Sequence, residues 1–324
     1  MPGGRVTLRG RGFHVTEAGP PRVAIRSVSD DAAEPTPVRV VAASAEAVVI
    51  AVPDAPTGSV WITLPDEPGV QARLEVGHVL TTGLHQVDNP AFDLAGRLWV
   101  TQSGGRDTKV SVPLYRVGRN GVREPLSIEV GNPTSLALAP DGAMFVSSRF
   151  DGHVYRVAAD DSVETYASDL GGATGLAFAP DGTLYVGDRS GTIFRVTTDR
   201  RVENIAKLPA SVAAFHLAYG PDGCLYVAAP TLATHDSIYR VTQTGSTRAI
   251  TSRFGRPQGL AFDRTGTLFV VDALAGSAGL YRVPLDAEDA VPMLALSAPT
   301  LVGVAFDPLG GMVLASSETI WRLE

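Results

Sequence analysis

Ten polar side chains in this chain of 324 residues are the best candidates for a site that does chemistry. They occur at two points of a segment that repeats along the chain, at the start of one short apolar run and at the end of the next. Carboxylate, amide, hydroxyl and guanidinium groups that converge there could hold a small polar ligand. The candidate ligand-binding residues are Asp88, Asn89, Thr134, Arg149, Thr174, Asp188, Arg189, His216, Gln258 and Asp272.

Some of these side chains could do more than bind, but the sequence predicts no catalytic residue. Asp88 is at most a weak candidate for a metal ligand, since one carboxylate with a Gln and two Thr is a thin site for a cation that takes six to eight oxygen ligands. No serine or cysteine nucleophile motif accompanies His216, so we expect a histidine that is satisfied by its neighbours or touches the ligand. Asp188 and Asp272 each end an apolar run, at a position that resembles the Asp of Tyr-Val-Ala-Asp in NHL repeats. That resemblance implies a loop cap or a pair with a neighbouring Arg, with ligand contact as the alternative.

The element that must position these side chains is a repeat with a period of about 40 residues. An aromatic residue, an arginine and an aliphatic residue form a triplet that occurs six times, and its copies begin 40, 39, 45, 42 and 40 residues apart. Such a period means that one supersecondary unit is repeated. The triplets are Tyr115–Val117, Tyr155–Val157, Phe194–Val196, Tyr239–Val241, Tyr281–Val283 and Trp321–Leu323.

Two apolar runs joined by a turn precede each triplet and predict a buried β-hairpin. The clearest turns are Pro140-Asp141-Gly142 and Pro180-Asp181-Gly182, in which proline presets φ and glycine accepts a positive φ. The triplet is then a third strand, and a more polar stretch such as Val163–Tyr166 is a fourth. Four strands per repeat are typical of a β-propeller blade, so the sequence predicts an all-β fold with a six-bladed propeller.

The predicted propeller occupies residues 77–324. Its last triplet leaves the sixth blade without a fourth strand of its own. Residues 77–85 are predicted to supply that strand and thereby to remove the sheet edges that an open ring would expose. Alignment of the repeats places the start of each first strand and the loop after each second strand at one mouth of the central channel, where the ten candidates lie.

Residues 1–76 do not match the repeat and predict a separate β-sandwich. Short strand-like runs such as Arg22–Ile25, Val48–Val52 and Val60–Leu64 alternate with Gly and Pro. The stretch Pro2-Gly3-Gly4 to Gly12-Phe13 resembles the opening of IPT/TIG domains, which have an immunoglobulin-like fold. That resemblance implies a docking or spacing module, although the strand that usually precedes the Pro-Gly-Gly turn is not in this sequence.

Composition limits the classes of function. A net charge of −7 argues against nucleic-acid binding, and no apolar run is long enough for a transmembrane helix, so neither nucleic acid nor a membrane is an expected partner. The first residues contain no apolar segment typical of a signal peptide, and Cys224 is the only cysteine. These features favour a cytoplasmic location, and a leader peptide upstream of the given sequence is the alternative.

The motif Gly-Leu-Ala-Phe-x-Pro-Asp-Gly-x-Leu-Tyr-Val, at residues 175–186, resembles NHL repeats and the regucalcin/gluconolactonase group of six-bladed propellers. Streptogramin lyases share this style of repeat. The gluconolactonase resemblance implies a divalent cation held by an acid at the start of the first blade, an Asn within Pro-Asn-Gly-Leu and a further Asp that serves as general base. Asp88 matches the first ligand, but the equivalents of the Asn triplet read Pro133-Thr134-Ser135, Ala173-Thr174-Gly175 and Pro257-Gln258-Gly259, and the second acid is missing.

Two functions therefore compete. The first is a binding or scaffold protein that uses the channel mouth to recognise a small-molecule ligand or a protein partner. The alternative is a metal-dependent hydrolase of the gluconolactonase type that acts on a lactone or ester with a divalent cation (Ca²⁺, Mg²⁺ or Zn²⁺) as cofactor. Because the set of catalytic ligands is incomplete, the sequence favours binding.

Overall fold

The computed structural model describes residues 1–11, 13, 15–17, 19–30, 32–67, 69–104, 110, 112–274, 278–286 and 289–323. In this part of the chain the regular elements are 31 β-strands, and there is no α-helix. The chain divides into two compact units. Unit 1 comprises Met1–Val79, Leu296–Pro299 and Trp321–Glu324, and unit 2 comprises Leu80–Ala295 and Thr300–Ile320.

The first seven strands form a β-sandwich in unit 1. One sheet has the order β1-β5-β4 and the other β3-β2-β6-β7. Alternating side chains from both sheets, among them Ile25, Ile50 and Val60, are fully buried and form one apolar core. Gly12 of the stretch that resembles IPT/TIG domains lies outside the described residues. The strands are β1 (Arg5–Arg9), β2 (Val23–Ser27), β3 (Thr36–Val38), β4 (Val40–Ala43), β5 (Ala47–Ala51), β6 (Gly58–Thr63) and β7 (Gln71–Val76).

The remaining strands form six antiparallel sheets of four strands each, which are the blades of a β-propeller. Blades 1 to 5 use consecutive strands, with orders β9 to β12, β13 to β16, β17 to β20, β21 to β24 and β25 to β28. The strands are β8 (His78–Thr82), β9 (Ala91–Phe92), β10 (Leu98–Thr101), β11 (Leu114–Val117), β12 (Arg123–Leu126), β13 (Pro133–Leu138), β14 (Met144–Ser148), β15 (His153–Val157), β16 (Val163–Ala167), β17 (Ala173–Phe178), β18 (Leu184–Asp188), β19 (Thr192–Val196), β20 (Val202–Lys207), β21 (His216–Tyr219), β22 (Leu225–Ala228), β23 (Asp236–Val241), β24 (Thr247–Phe254), β25 (Pro257–Phe262), β26 (Leu268–Asp272), β27 (Gly279–Val283), β28 (Met293–Ser297), β29 (Leu301–Phe306), β30 (Met312–Ser316) and β31 (Thr319–Leu323).

Blade 6 is built from both ends of the propeller sequence. Its strand order is β29-β30-β31-β8, so the strand that precedes blade 1 is the outer strand of the last blade. Hydrogen bonds from Leu84 N to Glu318 O (3.1 Å) and from Gln86 N to Ser317 O (2.8 Å) continue the connection toward blade 1. The first strands of successive blades pack against one another, including β29 against β9, so the blades form a closed ring.

A Pro-Asp-Gly turn joins the first two strands of blades 2, 3 and 4. In blade 2, Gly142 takes a φ of 86°, and the Asp141 carboxylate accepts a hydrogen bond from Ala143 N at 3.0 Å. Arg156 of the triplet on β15 donates to the same carboxylate at 3.1 Å. In blade 4, Arg240 makes the equivalent bond to Asp222 at 2.8 Å. In blades 2 and 4 the triplet arginine therefore ties the third strand to the hairpin, which is an architectural role.

In blade 1 the Asp93 carboxylate fixes the turn between β9 and β10 through bonds within the hairpin, and we predict that its contribution to stability depends on pH. Burial would raise the pKa of Asp93, but hydrogen bonds from Trp99 Nε1 (3.0 Å) and Arg97 outweigh burial and lower the pKa below its ordinary value of 3.8. The stabilisation is therefore complete above pH 3.8 and is lost as the pH falls through the lower folded-state pKa. Asp93→Asn should reduce the free energy of unfolding at pH 7 by about 1–3 kcal/mol.

Chemical denaturation of both proteins between pH 7 and pH 2 measures this effect. The difference between wild type and Asp93→Asn should shrink toward the acid end. Asp286→Asn is the matched control, because Asp286 is exposed and should change stability little at any pH. A difference between wild type and Asp93→Asn that stays constant over the whole range would contradict the prediction.

Candidate functional site

The start of each first strand and the end of each second strand lie at the same end of the ring, which we call the upper mouth. In blade 2, Pro133 pairs with Ser148, and in blade 3 Ala173 pairs with Asp188. A bulge follows each of these pairs, so the first strand bends where it enters the ring. The opposite end, where the Pro-Asp-Gly turns lie, is the lower mouth.

A buried histidine lies at the centre of the ring. His216 opens β21 of blade 4, and its side chain is 0% exposed. Its Nδ1 lies 2.6 Å from Asp88 Oδ1 of blade 1, and its Nε2 lies 3.1 Å from Gln258 Oε1 of blade 5. The Asp88 side chain is only 3% exposed and accepts a second hydrogen bond from Asn89 N at 2.7 Å. The Asp88 carboxylate can accept a hydrogen bond from Nδ1–H, and Nε2 lies at hydrogen-bond distance from the Gln258 amide, so both ring nitrogens face a polar partner.

Asn89 connects three blades beside this histidine. Its Nδ2 donates to Leu260 O of blade 5 at 2.8 Å, and its Oδ1 accepts from Val304 N of blade 6 at 2.9 Å. The Asn89 side chain can reach the backbone of blades 5 and 6 because both blades have a glycine at the equivalent position. At Gly259 and Gly303 a Cβ would collide with Asn89. We call Asp88, Asn89, His216 and Gln258 the hub cluster, and its contacts give it a structural role.

The two threonine candidates have different environments. In blade 3, the Thr174 hydroxyl donates to Gly187 O (3.1 Å) and accepts from Phe215 N (2.9 Å), so it joins blades 3 and 4. The Thr134 hydroxyl of blade 2 has no hydrogen-bond partner among the described residues although the residue is only 1% exposed. Thr134 therefore fits a ligand-facing role better than Thr174 does.

Asp188 and Asp272 cap loops at the upper mouth, which makes ligand contact the weaker interpretation of both. Asp188 accepts hydrogen bonds from Gly172 N (2.8 Å) and from the Ser190 hydroxyl. Asp272 accepts from Arg256 N at 2.8 Å and from Gly255 N and Leu274 N at 3.1 Å each. The two carboxylates thus hold the loops that lead into the first strands, because backbone N–H groups of those loops donate to them.

Arg149 and Arg189 occupy the same position in neighbouring blades, one residue after the end of β14 and β18. Arg149 is half-buried, and its guanidinium lies 5.4 Å from the Phe150 ring centroid. Arg189 is exposed, and its Nη2 donates to Val212 O at 3.2 Å. Burial lowers the pKa of Arg149, and the charge of Arg189 lowers it further. The two groups are therefore close enough to repel each other.

Three residues at the upper mouth were missed from the sequence. Gln86 Nε2, Gln102 Oε1 and both amide atoms of Asn132 are buried and have no hydrogen-bond partner among the described residues. Gln102 stands at the blade-1 position that Asp188 and Asp272 occupy in blades 3 and 5, so an alignment of second-strand ends could have found it. Asn132 has a φ of 47°, and no repeated motif marks its position.

The lower mouth holds a cavity that is lined by all six blades. Its volume is about 550 Å³, and it begins below Asn89. Apolar side chains from the distal ends of the first strands form most of its wall, among them Phe92, Leu136, Phe178, Tyr219, Phe262 and Val304. Because most of its lining is apolar, few polar groups there can orient a ligand, and the polar candidates lie at the upper mouth instead.

The hub cluster does not fit the divalent cation that the gluconolactonase resemblance implies. Asp88 is its one carboxylate, and that carboxylate accepts hydrogen bonds from His216 and Asn89. The Asn89 side-chain amide is hydrogen-bonded to the backbone of blades 5 and 6, through both its nitrogen and its oxygen. Throughout the described residues there is no group of three or more His, Cys, Asp or Glu side chains that could hold a metal ion. A cation such as Ca²⁺ takes six to eight oxygen ligands, more than this cluster can present.

None of the described elements is a helix of the length and apolarity required to cross a bilayer. Comparison with protein-family models and with curated protein sequences yields no match for this chain.

Solved structures with the same architecture are numerous. A gluconolactonase from Xanthomonas campestris is 16% identical, covers 76% of this chain and 88% of its own, and superimposes with a TM-score of 0.63. An auxiliary nutrient binding protein from Bacteroides ovatus is 14% identical, covers 99% and 94%, and has a TM-score of 0.59. A virginiamycin B lyase from Staphylococcus aureus is 14% identical, covers 98% of both chains, and has a TM-score of 0.54. At such identities the likeness establishes the fold, an all-β structure with a propeller, and no activity.

Proposed function

We propose that this protein binds a small polar molecule at the upper mouth of the propeller. The observation that carries the proposal is that most of the buried polar side-chain atoms without a partner in the described structure lie near the upper mouth. They belong to Gln86, just before blade 1, to Gln102 of blade 1, and to Asn132 and Thr134 of blade 2, whereas Arg116 Nε and Thr251 Oγ1 lie elsewhere. An unpaired buried polar group costs about 1–3 kcal/mol of stability, so several of them on one side of a mouth need a physical explanation. A ligand that forms hydrogen bonds with them is such an explanation. The nutrient-binding neighbour has the same fold.

The hub cluster suits binding better than turnover. His216 is fully buried, and its two nitrogens face Asp88 and Gln258, so neither nitrogen is free to take a proton from a bound molecule. The cluster instead forms a rigid floor beneath the upper mouth, because its hydrogen bonds join blades 1, 4, 5 and 6. A rigid floor with an uneven polar rim is the arrangement of a preorganised binding site.

Thr134→Val tests this proposal, because it removes the unpaired hydroxyl and keeps the side-chain shape. We expect the melting temperature of the free protein to stay the same or rise, since a buried polar group without a partner is lost. A screen of monosaccharides, amino acids, nucleosides and short carboxylic acids by thermal shift should find a ligand that raises the melting temperature of wild type. Calorimetry with that ligand should show binding to Thr134→Val weakened about tenfold.

Thr247→Val is the matched control, because Thr247 is exposed at the start of β24 on the outer strand of blade 4. It should bind like wild type. If a ligand from the screen binds wild type and Thr134→Val equally, the upper mouth of blade 2 is not its site. If Thr134→Val instead lowers the melting temperature by several degrees, the hydroxyl has a structural partner and the argument from unpaired groups fails.

A second candidate is hydrolysis of a lactone or ester. It is favoured by the hydrogen bond between Asp88 and His216, an arrangement in which a carboxylate orients an imidazole, and by the gluconolactonase neighbour. Under the binding proposal, EDTA and millimolar Ca²⁺, Mg²⁺ or Zn²⁺ should leave the melting temperature unchanged, and simple lactones should not be hydrolysed. A stabilising cation together with hydrolysis that Asp88→Asn abolishes would establish the alternative.

We infer that unit 1 is an IPT/TIG-like module that docks or spaces the propeller. Two sheets with the orders β1-β5-β4 and β3-β2-β6-β7 around one apolar core support this inference. An experimental structure should superimpose these strands on an IPT/TIG domain with the same connectivity, and a different strand order would contradict it.

A further inference from the structure

We propose that the ligand of the upper mouth carries an oxyanion, a carboxylate or a phosphate group, which the guanidinium groups of Arg149 and Arg189 hold together. This inference rests on the proposed function, because it names the chemical class that the same mouth recognises. Guanidinium groups bind both kinds of oxyanion through paired N–H donors. Experiments with each kind distinguish the two sources.

The geometry places the two arginines on one side of the mouth. Each follows the last residue of a second strand, and blades 2 and 3 are neighbours whose strands β13 and β17 pack together. Arg149 is held by its contact with the Phe150 ring, and Arg189 by its bond to Val212 O. At this position blades 1, 4, 5 and 6 have Ser103, Pro230, Ala273 and Ser317, so an arginine occupies it in two adjacent blades only.

Neither guanidinium group forms an ion pair in the described part of the chain, unlike the triplet arginines Arg116, Arg156, Arg195 and Arg240, which all do. Arg149 is half-buried and near the like charge of Arg189, and both conditions lower its pKa. A half-buried positive charge beside a like charge, with no carboxylate partner in the described part of the chain, is unfavourable, and a bound anion would remove that penalty.

Two carboxylates that are close to this pair in sequence, Asp188 and Asp151, accept hydrogen bonds from groups other than these arginines. Asp188 accepts from Gly172 N and the Ser190 hydroxyl. Asp151 accepts from the Tyr155 hydroxyl at 2.7 Å and from His153 N at 3.0 Å. Blade 2 also has Ser148 where blades 3 and 5 have Asp188 and Asp272, so a negative charge is missing next to Arg149.

Asn132 provides a second, independent indication of a ligand. It directly precedes Pro133, which pairs with Ser148, so Asn132 and Arg149 are neighbours across the pair β13 and β14. Asn132 is only 6% exposed, and its Oδ1 and Nδ2 are both unpaired in the described structure. An amide N–H₂ beside a guanidinium would add a donor to an anion, and the nearby Thr134 hydroxyl could add another. Charge and unpaired donors thus converge on blade 2.

Thermal shift and calorimetry with inorganic phosphate and with malonate test the inference. Each titration is made at constant ionic strength against sodium chloride, because surface charge alone responds to salt. Wild type should be stabilised by at least one of the two anions at millimolar concentration, and the preferred anion identifies the source. Arg149→Gln and Arg189→Gln should each weaken that binding about tenfold or more, since a charge-assisted hydrogen bond is lost.

Arg119→Gln is the matched control. Arg119 is exposed in the turn between β11 and β12, at the lower end of blade 1, so its loss removes the same charge away from the mouth. It should bind the anion like wild type. Equal weakening by Arg119→Gln and Arg149→Gln would overturn the inference, because the effect would then be one of net charge.

The outcomes separate this inference from the proposed function. A neutral ligand that loses affinity in Thr134→Val but binds Arg149→Gln and Arg189→Gln like wild type would keep the mouth as the site and refute the oxyanion. If neither anion stabilises wild type beyond chloride, and no anionic compound of the screen does, the inference is wrong. Anion binding that depends on both arginines supports it.

Discussion

His216→Ala should lower the free energy of unfolding by about 3–5 kcal/mol, the largest effect that we expect from a single substitution. It removes the donor to the Asp88 carboxylate, which stays buried at the centre of the ring with one remaining hydrogen bond, from Asn89 N. It also leaves Gln258 without its partner and opens a cavity where a fully buried ring was. Chemical denaturation of the purified variant measures the loss.

A double-mutant cycle with Asp88→Asn shows whether the loss comes from the uncompensated charge. Asp88→Asn in the His216→Ala background should cost at least about 1 kcal/mol less than in wild type, since contacting residues couple. His235→Ala, at an exposed position, is the control and should change stability by less than about 0.5 kcal/mol. Strict additivity of the two hub substitutions would mean that His216 stabilises the ring through packing alone.

Gly259→Ala should destabilise the protein by about 3 kcal/mol or more, because it overpacks the point where three blades meet. A Cβ at residue 259 would overlap Asn89 Oδ1 and would lie 2.7 Å from Gly303 Cα and 2.8 Å from Val302 O. Two of these neighbours are backbone atoms, which cannot rotate away. The displaced Asn89 amide would also lose its bonds to Leu260 O and Val304 N. Thermal and urea unfolding of the variant check this expectation.

Gly131→Ala serves as the control for the glycine substitution. At residue 131 an added Cβ would meet its nearest atom, Asp151 Oδ2, at 3.6 Å, which is an ordinary van der Waals distance. Its effect should stay within about 1 kcal/mol of zero. If Gly259→Ala were tolerated equally well, the three first strands could move apart, and the close approach at Asn89 would not constrain the ring.

Much of the fold could be predicted because the signals that determine each blade lie within a single repeat. The Pro-Asp-Gly turns, the apolar runs beside them and the triplet on the third strand act over a few residues, and six copies reinforce one another. The turn at Asp141 and Gly142 shows why, since its bonds connect residues two or three positions apart. The propeller that these signals predict is the fold of the structural neighbours.

The site was harder to predict because its contacts join residues far apart in the chain. Alignment of the repeats placed Asp88, His216 and Gln258 near the channel, but it could not show that they bond to one another, since 128 positions separate Asp88 from His216. Nor could it distinguish Thr174, whose hydroxyl is used between blades, from Thr134, whose hydroxyl is unpaired. Asn132 was missed because its burial, and its lack of a hydrogen-bond partner among the described residues, depend on the loop conformation and not on a motif.

The pairing in blade 6 has a consequence for biosynthesis. The bond between the Thr82 and Thr319 hydroxyls, at 3.0 Å, joins residues 237 positions apart, and Leu84 meets Glu318 in the same region. Residue 319 must therefore leave the ribosome before the ring can close. Until then β8 has unpaired backbone N–H and C=O groups at its edge, and another nascent chain could pair with them. Translation speed and chaperone access, as well as equilibrium stability, should then govern the yield of correctly closed molecules.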